Sequence, residues 1–249
     1  MADLFVVLFL IFQYKYHSMF PLGDDNSGRT ITPIVNYLLI AINILVFVFF
    51  QKMGADEAVI ASFSTVPGEI VSGKDLTTGM LGPTPVPVYF TLFTSMFMHG
   101  GWAHLLGNML YLWIFGDNLE NRMGHSRYLV FYLLCGLVAS LAHVFTSHFL
   151  GRDMLIPSLG ASGAISGVLG GYMLIFPKNR VRVLLLRSIV PVPAIVALGF
   201  WILLQVISGM GMLGGEETGG GVAYAAHIGG FIAGLLLVKF FTPRQSAIA

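Results

Sequence analysis

The stretch Ser162-Gly163-Ala164-Ile165-Ser166-Gly167-Val168-Leu169-Gly170-Gly171-Tyr172-Met173-Leu174-Ile175-Phe176-Pro177 decides the fold. The turn-forming run Pro177-Lys178-Asn179-Arg180 closes it. A helix over 162–177 is about 24 Å long, short of the ~30 Å hydrocarbon core of a bilayer. Ser162, Gly163, Ser166, Gly167 and Gly170 cover much of its circumference with small side chains, which lets membrane helices pack backbone to backbone. The stretch therefore predicts a helix whose small face packs closely on a neighbouring helix, with an outer end below the membrane surface. Ser162 then sits at the floor of a water-filled cavity.

Five more apolar segments of spanning length flank it, at about 34–51, 102–119, 127–149, 183–206 and 222–241. Gly214-Gly215-Glu216-Glu217 marks a turn before the sixth segment. Two other apolar stretches are too short to span. Residues 88–98 read as a surface-lying or re-entrant part of a long loop. Residues 4–12 have Asp3 before and Lys15 after them, unlike a signal peptide, and read as interfacial or as an extension ahead of a start at Met19.

The chain is 56% hydrophobic and 10% charged, against about a quarter charged in soluble domains. This predicts an all-α polytopic membrane protein of six transmembrane helices. A net charge of +1 offers no basic face for nucleic acid. The single cysteine, Cys135, excludes an internal disulfide and reads as a small core residue.

Cytoplasmic loops retain Lys and Arg. An inside N-terminus leaves Lys15, Arg29, Arg122, Arg127, Lys178, Arg180, Arg182, Arg187, Lys239 and Arg244 inside, and only Lys52, Lys74 and Arg152 outside. The predicted organisation is a cytoplasmic segment 1–33, a six-helix domain 34–241 and a cytoplasmic tail 242–249.

That topology brings four polar residues to one depth beneath the outer face: His104, Asn108, Ser162 and His227. Polar groups at such depth are costly and usually functional. Ala223, His227, Gly230 and Gly234 form one narrow stripe on the sixth segment. Packing that stripe against the Gly163 face of the fourth segment brings the Ser162 hydroxyl to the His227 ring. A serine becomes a nucleophile when a neighbouring base takes its proton, so a Ser-His dyad is expected; no third member is evident. The Ser162 backbone N–H, one of the free first-turn donors of its helix, is an expected oxyanion donor beside His104 and Asn108.

Other polar residues carry structural expectations. His99 is expected to anchor the long external loop, and His143 and His148 are read as structural. His17 and His125 fall in cytoplasmic loops. Asp117 and Glu120 are expected to form an ion-pair cap with Arg122.

Four motifs together resemble the rhomboid intramembrane serine proteases over roughly residues 34–241. They are Gly160-Ala161-Ser162-Gly163, His104-x-x-x-Asn108, Gly116-x-x-x-Glu120-x-Arg122, and Ala226-His227-Ile228-Gly229-Gly230-Phe231-Ile232-Ala233-Gly234. The resemblance implies a rhomboid-like fold whose short fourth helix carries the nucleophile Ser162, with His227 as base. His104 and Asn108 would bind the oxyanion, and His99 would be structural. It further implies an intramembrane endopeptidase that cleaves single-span membrane proteins near the outer end of the span. Its partners would be transmembrane-helix substrates and the lipid bilayer, with no cofactor and no metal; it sets no oligomeric state. The expected location is the inner membrane of a prokaryote, both termini cytoplasmic and the site open to the outer side.

Two departures stand out. Tyr89-Phe90-Thr91 replaces a Trp-Arg pair common in the first external loop. Ser166 replaces a tyrosine that stacks on the base histidine, so positioning of His227 falls to another group, with Tyr224 and Tyr172 as candidates. Substrate access is expected between segments two and five, or beneath the loop Gly209–Gly221. Four alternatives carry less weight. A silent relative would lack Ser162 or His227. A bis-histidine haem protein would show a haem spectrum. A transporter would show an inverted repeat. A zinc protease would carry His-Glu-x-x-His.

Overall fold

The structure is a computed structural model that describes residues 20–77, 81–185, 188–213 and 224–243. It is mostly helical. Strand β1 (Phe20–Gly23) precedes α1 (Ile34–Leu45), which continues through a π turn, Val46–Phe50. A long loop follows with three short helices, α2 (Glu57–Ser62), α3 (Pro67–Ser72) and α4 (Thr91–Thr94), the last flanked by 3-10 turns Val88–Phe90 and Ser95–Phe97. Then come α5 (Trp102–Met123), α6 (His125–Leu150) and α7 (Ser162–Ile175). Strands β2 (Arg180–Leu185) and β3 (Ser188–Pro193) lead into α8 (Ala194–Leu213), and α9 (Tyr224–Phe241) ends the fold.

Helix α7 is the centre. All ten of its residues from Gly163 to Tyr172 are buried. It packs against α5, α6, α8 and α9. At 14 residues it is about 21 Å long. Among the described residues, His125–Leu150, Ala194–Gly211 and Tyr224–Phe241 are long and apolar enough to cross a membrane by length and composition; Ile34–Phe50, Val88–Phe97 and Ser162–Ile175 are shorter apolar helices.

One boundary differs from expectation. The fifth segment, expected at 183–206, begins as a helix only at Ala194; the residues before it form the β2–β3 hairpin. The three strands form an antiparallel sheet in the order β1-β2-β3. Arg180 and Arg182 are exposed while Val181 and Val183 are buried, the period-two pattern of a half-buried strand. Pro191 and Pro193 fit poorly inside a helix but are tolerated in an edge strand. At its other end α8 runs through Leu213, so the loop expected from Gly209 starts later. The remainder of that loop lies outside the described residues. So do the turn at Gly214, Ala223 of the small stripe, residues 4–12, Met19 and most of the tail.

The C-terminal end of α5 also differs. Asp117 pairs with Arg29 at 2.6 Å, not with Arg122. Glu120 caps α1, accepting the backbone N–H groups of Val35 (3.0 Å) and Asn36 (2.7 Å), and bonds the His125 ring at 2.5 Å. A carboxylate at a helix N-terminus satisfies free donors and meets the positive end of the helix dipole. Asn36 then donates to the Leu112 carbonyl at 3.0 Å and accepts from Tyr128 at 2.8 Å. A side chain at Gly116 would overlap Asn36. Thus Gly116 and Glu120 dock α1 onto α5.

Candidate active site

Glycines set the geometry of the site. A side-chain carbon at Gly230 would overlap the Gly163 carbonyl, and one at Gly234 the Gly167 carbonyl; one at Gly170 would overlap Phe231. Helices α7 and α9 are therefore in backbone contact. Ala139 and Cys135 of α6 fill the space beside Gly163 and Gly167. This approach brings Ser162, the first residue of α7, to His227, in the first turn of α9. The Ser162 hydroxyl lies 2.8 Å from His227 Nε2.

The other ring nitrogen of His227, Nδ1, lies 2.7 Å from Gln205 Oε1 on α8. Trp201, one turn earlier on α8, lies beside the same ring at 5.9 Å between centroids, tilted by 37°. Neither residue stood out in the sequence. Of the two tyrosine candidates for positioning His227, Tyr172 is corrected: its hydroxyl lies at the far end of α7 and bonds Asp24, because ten residues of helix carry it away from Ser162. Ser166 turns inward and donates to the Ser162 carbonyl at 2.6 Å, a common habit of serine within a helix.

His104 and Asn108 lie one turn apart on α5 and face the chain leading into Ser162. Gly160 has φ +119°, and a side-chain carbon there would come within 2.7 Å of His104 Nε2 and 3.7 Å of Asn108 Nδ2. Glycine is thus required both by conformation and by close approach. Asn108 is buried, and its amide nitrogen lies 3.0 Å from His99 Nε2.

His99 is fully buried, and its backbone is held by both ends of one amide. Gln51 Nε2 donates to the His99 carbonyl at 2.8 Å, and the His99 N–H donates to Gln51 Oε1 at 3.0 Å. The loop preceding Ser162 is fixed from the same side. Thr65 and Ser158 exchange backbone bonds of 2.9 and 2.8 Å, Gly68 N–H donates to the Met154 carbonyl at 2.7 Å, and Gly160 N–H to the Ser95 carbonyl at 2.9 Å.

At the opposite end of α7 sits a second polar cluster. Asp24 accepts from Tyr172 (2.5 Å) and Asn118 (2.8 Å). Burial holds the Asp24 carboxyl above the usual carboxylate range, and neighbouring Asp25 adds to this, against the hydrogen bonds that lower it.

The Rhomboid domain family model matches residues 87–244. The chain is 33% identical over 146 residues to Rhomboid protein 1, mitochondrial, of Saccharomyces cerevisiae, covering 59% of this chain and 40% of that protein. It is 32% identical over 203 residues to Rhomboid protease GluP of Bacillus subtilis, covering 79% of this chain and 35% of that protein. Identity is 28% over 216 residues to human presenilin-associated rhomboid-like protein, mitochondrial, covering 87% of this chain and 49% of that protein. The chain thus spans less than half the length of each of these relatives.

Proposed function

The chain belongs to the Rhomboid family, and from that premise we propose that it is an intramembrane serine endopeptidase acting through a Ser162–His227 dyad. The observation that carries this reading is the 2.8 Å contact between the Ser162 hydroxyl and His227 Nε2, made between two helices in backbone contact. Six spans are proposed: α1 with its π turn, then α5, α6, α7, α8 and α9. The distribution of Lys and Arg supports cytoplasmic termini and a site near the outer face. Relatives occur in a bacterium and in mitochondria, and the proposed setting of this chain is a prokaryotic inner membrane.

In the proposed reaction His227 Nε2 takes the Ser162 proton as Oγ attacks the scissile carbonyl. The tetrahedral oxyanion is met by the Ser162 N–H, His104 and Asn108. His99, bonded to Asn108, orients that amide. His227 then protonates the leaving amine, and water admitted above the short α7 hydrolyses the acyl-enzyme. Substrates are single-span proteins whose helix unwinds near its outer end, since a peptide bond locked in a helix is shielded from attack.

The test is cleavage of a single-span reporter co-reconstituted in liposomes. Wild type is expected to cut once near the outer end of the span, while Ser162→Ala and His227→Ala leave the reporter intact at equal expression. Cleavage by either variant at the wild-type rate contradicts the dyad.

A further inference from the structure

We propose that Gln205 is a positioning residue for the base, holding His227 in the tautomer that leaves Nε2 free to accept the Ser162 proton. This rests on the dyad reading and goes beyond it.

A neutral imidazole carries one proton on one of two nitrogens. For His227 to accept from Ser162, Nε2 must present its lone pair, so the proton must reside on Nδ1. An Nδ1–H needs an acceptor, or the ring is free to populate the other tautomer and to rotate. In the structure the atom facing Nδ1, at 2.7 Å, is the amide oxygen of Gln205, which can only accept. The two contacts of the ring are therefore complementary: Nδ1–H donates to Gln205 while Nε2 accepts from Ser162.

The placement of Gln205 fits this role. On the neighbouring faces of α8, Leu203 and Ile207 are more than half exposed, whereas Gln205 and Trp201, one turn apart, turn inward onto His227. Trp201 also packs on Phe231 of α9, with ring centroids 6.2 Å apart, which fixes α8 against the helix that bears the base. An amide supplies the acceptor without placing a charge at membrane depth, where a carboxylate is expensive. The base is thereby oriented from a third helix, and α8 must be docked for His227 to be competent.

Two substitutions separate positioning from mere packing. Gln205→Leu removes the acceptor at similar volume. It is expected to lower kcat by about 10²-fold, the lower range of a positioned general base, with KM and the thermal midpoint nearly unchanged. Gln205→Glu keeps the acceptor and adds negative charge, which favours the imidazolium. Since neutral His227 is the active form, the acidic limb of kcat/KM should move to higher pH by about one unit. The ionisable neighbours of the ring, His104 and His143, are the same in all three proteins.

Ser162→Ala and His227→Ala are measured alongside. If those two still cleave, the dyad falls and the role of Gln205 falls with it. If they are inactive while Gln205→Leu keeps wild-type kcat, or Gln205→Glu leaves the acidic limb unmoved, the positioning role alone is overturned.

Discussion

At Asn108 one amide does two jobs. Its nitrogen contacts buried His99, and its place beside Gly160 puts it against the chain that delivers Ser162. Asn108→Ala is expected to lower kcat by one to three orders of magnitude, roughly the range for loss of an oxyanion donor, with KM little changed; an unchanged kcat in a reporter assay would return Asn108 to packing alone. The contact between Ser162 and His227 was legible in the sequence because stripes of small residues mark where their helices meet. Gln205 was not. A single glutamine in a long apolar helix carries no periodic signal, and its meaning depends on which face of α8 meets α9. Trp201 was hidden for the same reason, since an aromatic in a membrane helix most often faces lipid or core.

Among the elements, α7 and α9 meet backbone to backbone at Gly170, Gly230 and Gly234, where a side-chain carbon would overlap the facing chain. Gly230→Leu would drive a branched side chain into the Gly163 carbonyl. Overpacking alone costs about 1–3 kcal/mol, and here the obstacle is backbone. The expected result is loss of cleavage with Ser162 and His227 intact, read in the same reporter assay; full activity would place the stripe away from α7. These stripes were visible as patterns of small residues. In sequence the β2–β3 hairpin resembles the start of α8, because apolar content outweighs alternation in a run of Val, Leu and Ile. Pro191 and Pro193, together with the alternating Arg180 and Arg182, were the signals against a helix there. The partner of that hairpin, β1, lies far off in sequence, so no local pattern announces the sheet.

For the molecule as a whole, two polar clusters bracket α7: the site at Ser162, and the cluster at Tyr172 that fastens the segment before α1 to α5 and α7 through Asp24, Asn118 and Arg29. Its sequence trace was a few polar residues at helix ends, whose partners only the fold reveals. Because burial raises the folded-state affinity of Asp24 for its proton, the folded state binds more protons than the unfolded one. Stability from this group is full below the ordinary carboxylate range and is lost as pH rises through the raised value. The thermal midpoint of wild type relative to Asp24→Asn should therefore fall between pH 4 and pH 8. A relative midpoint that rises over that range would contradict the assignment.

The proposed activity needs the two ends to be unequal, one fastened and one open to water above the short α7. On that proposal the asymmetry would make Ser162 an accessible nucleophile within the membrane. Labelling of the detergent-solubilised protein by a fluorophosphonate probe tests it most directly. The account predicts covalent labelling of wild type at Ser162 and none of Ser162→Ala or His227→Ala. Equal labelling of wild type and Ser162→Ala, or none of an active wild type, would contradict it.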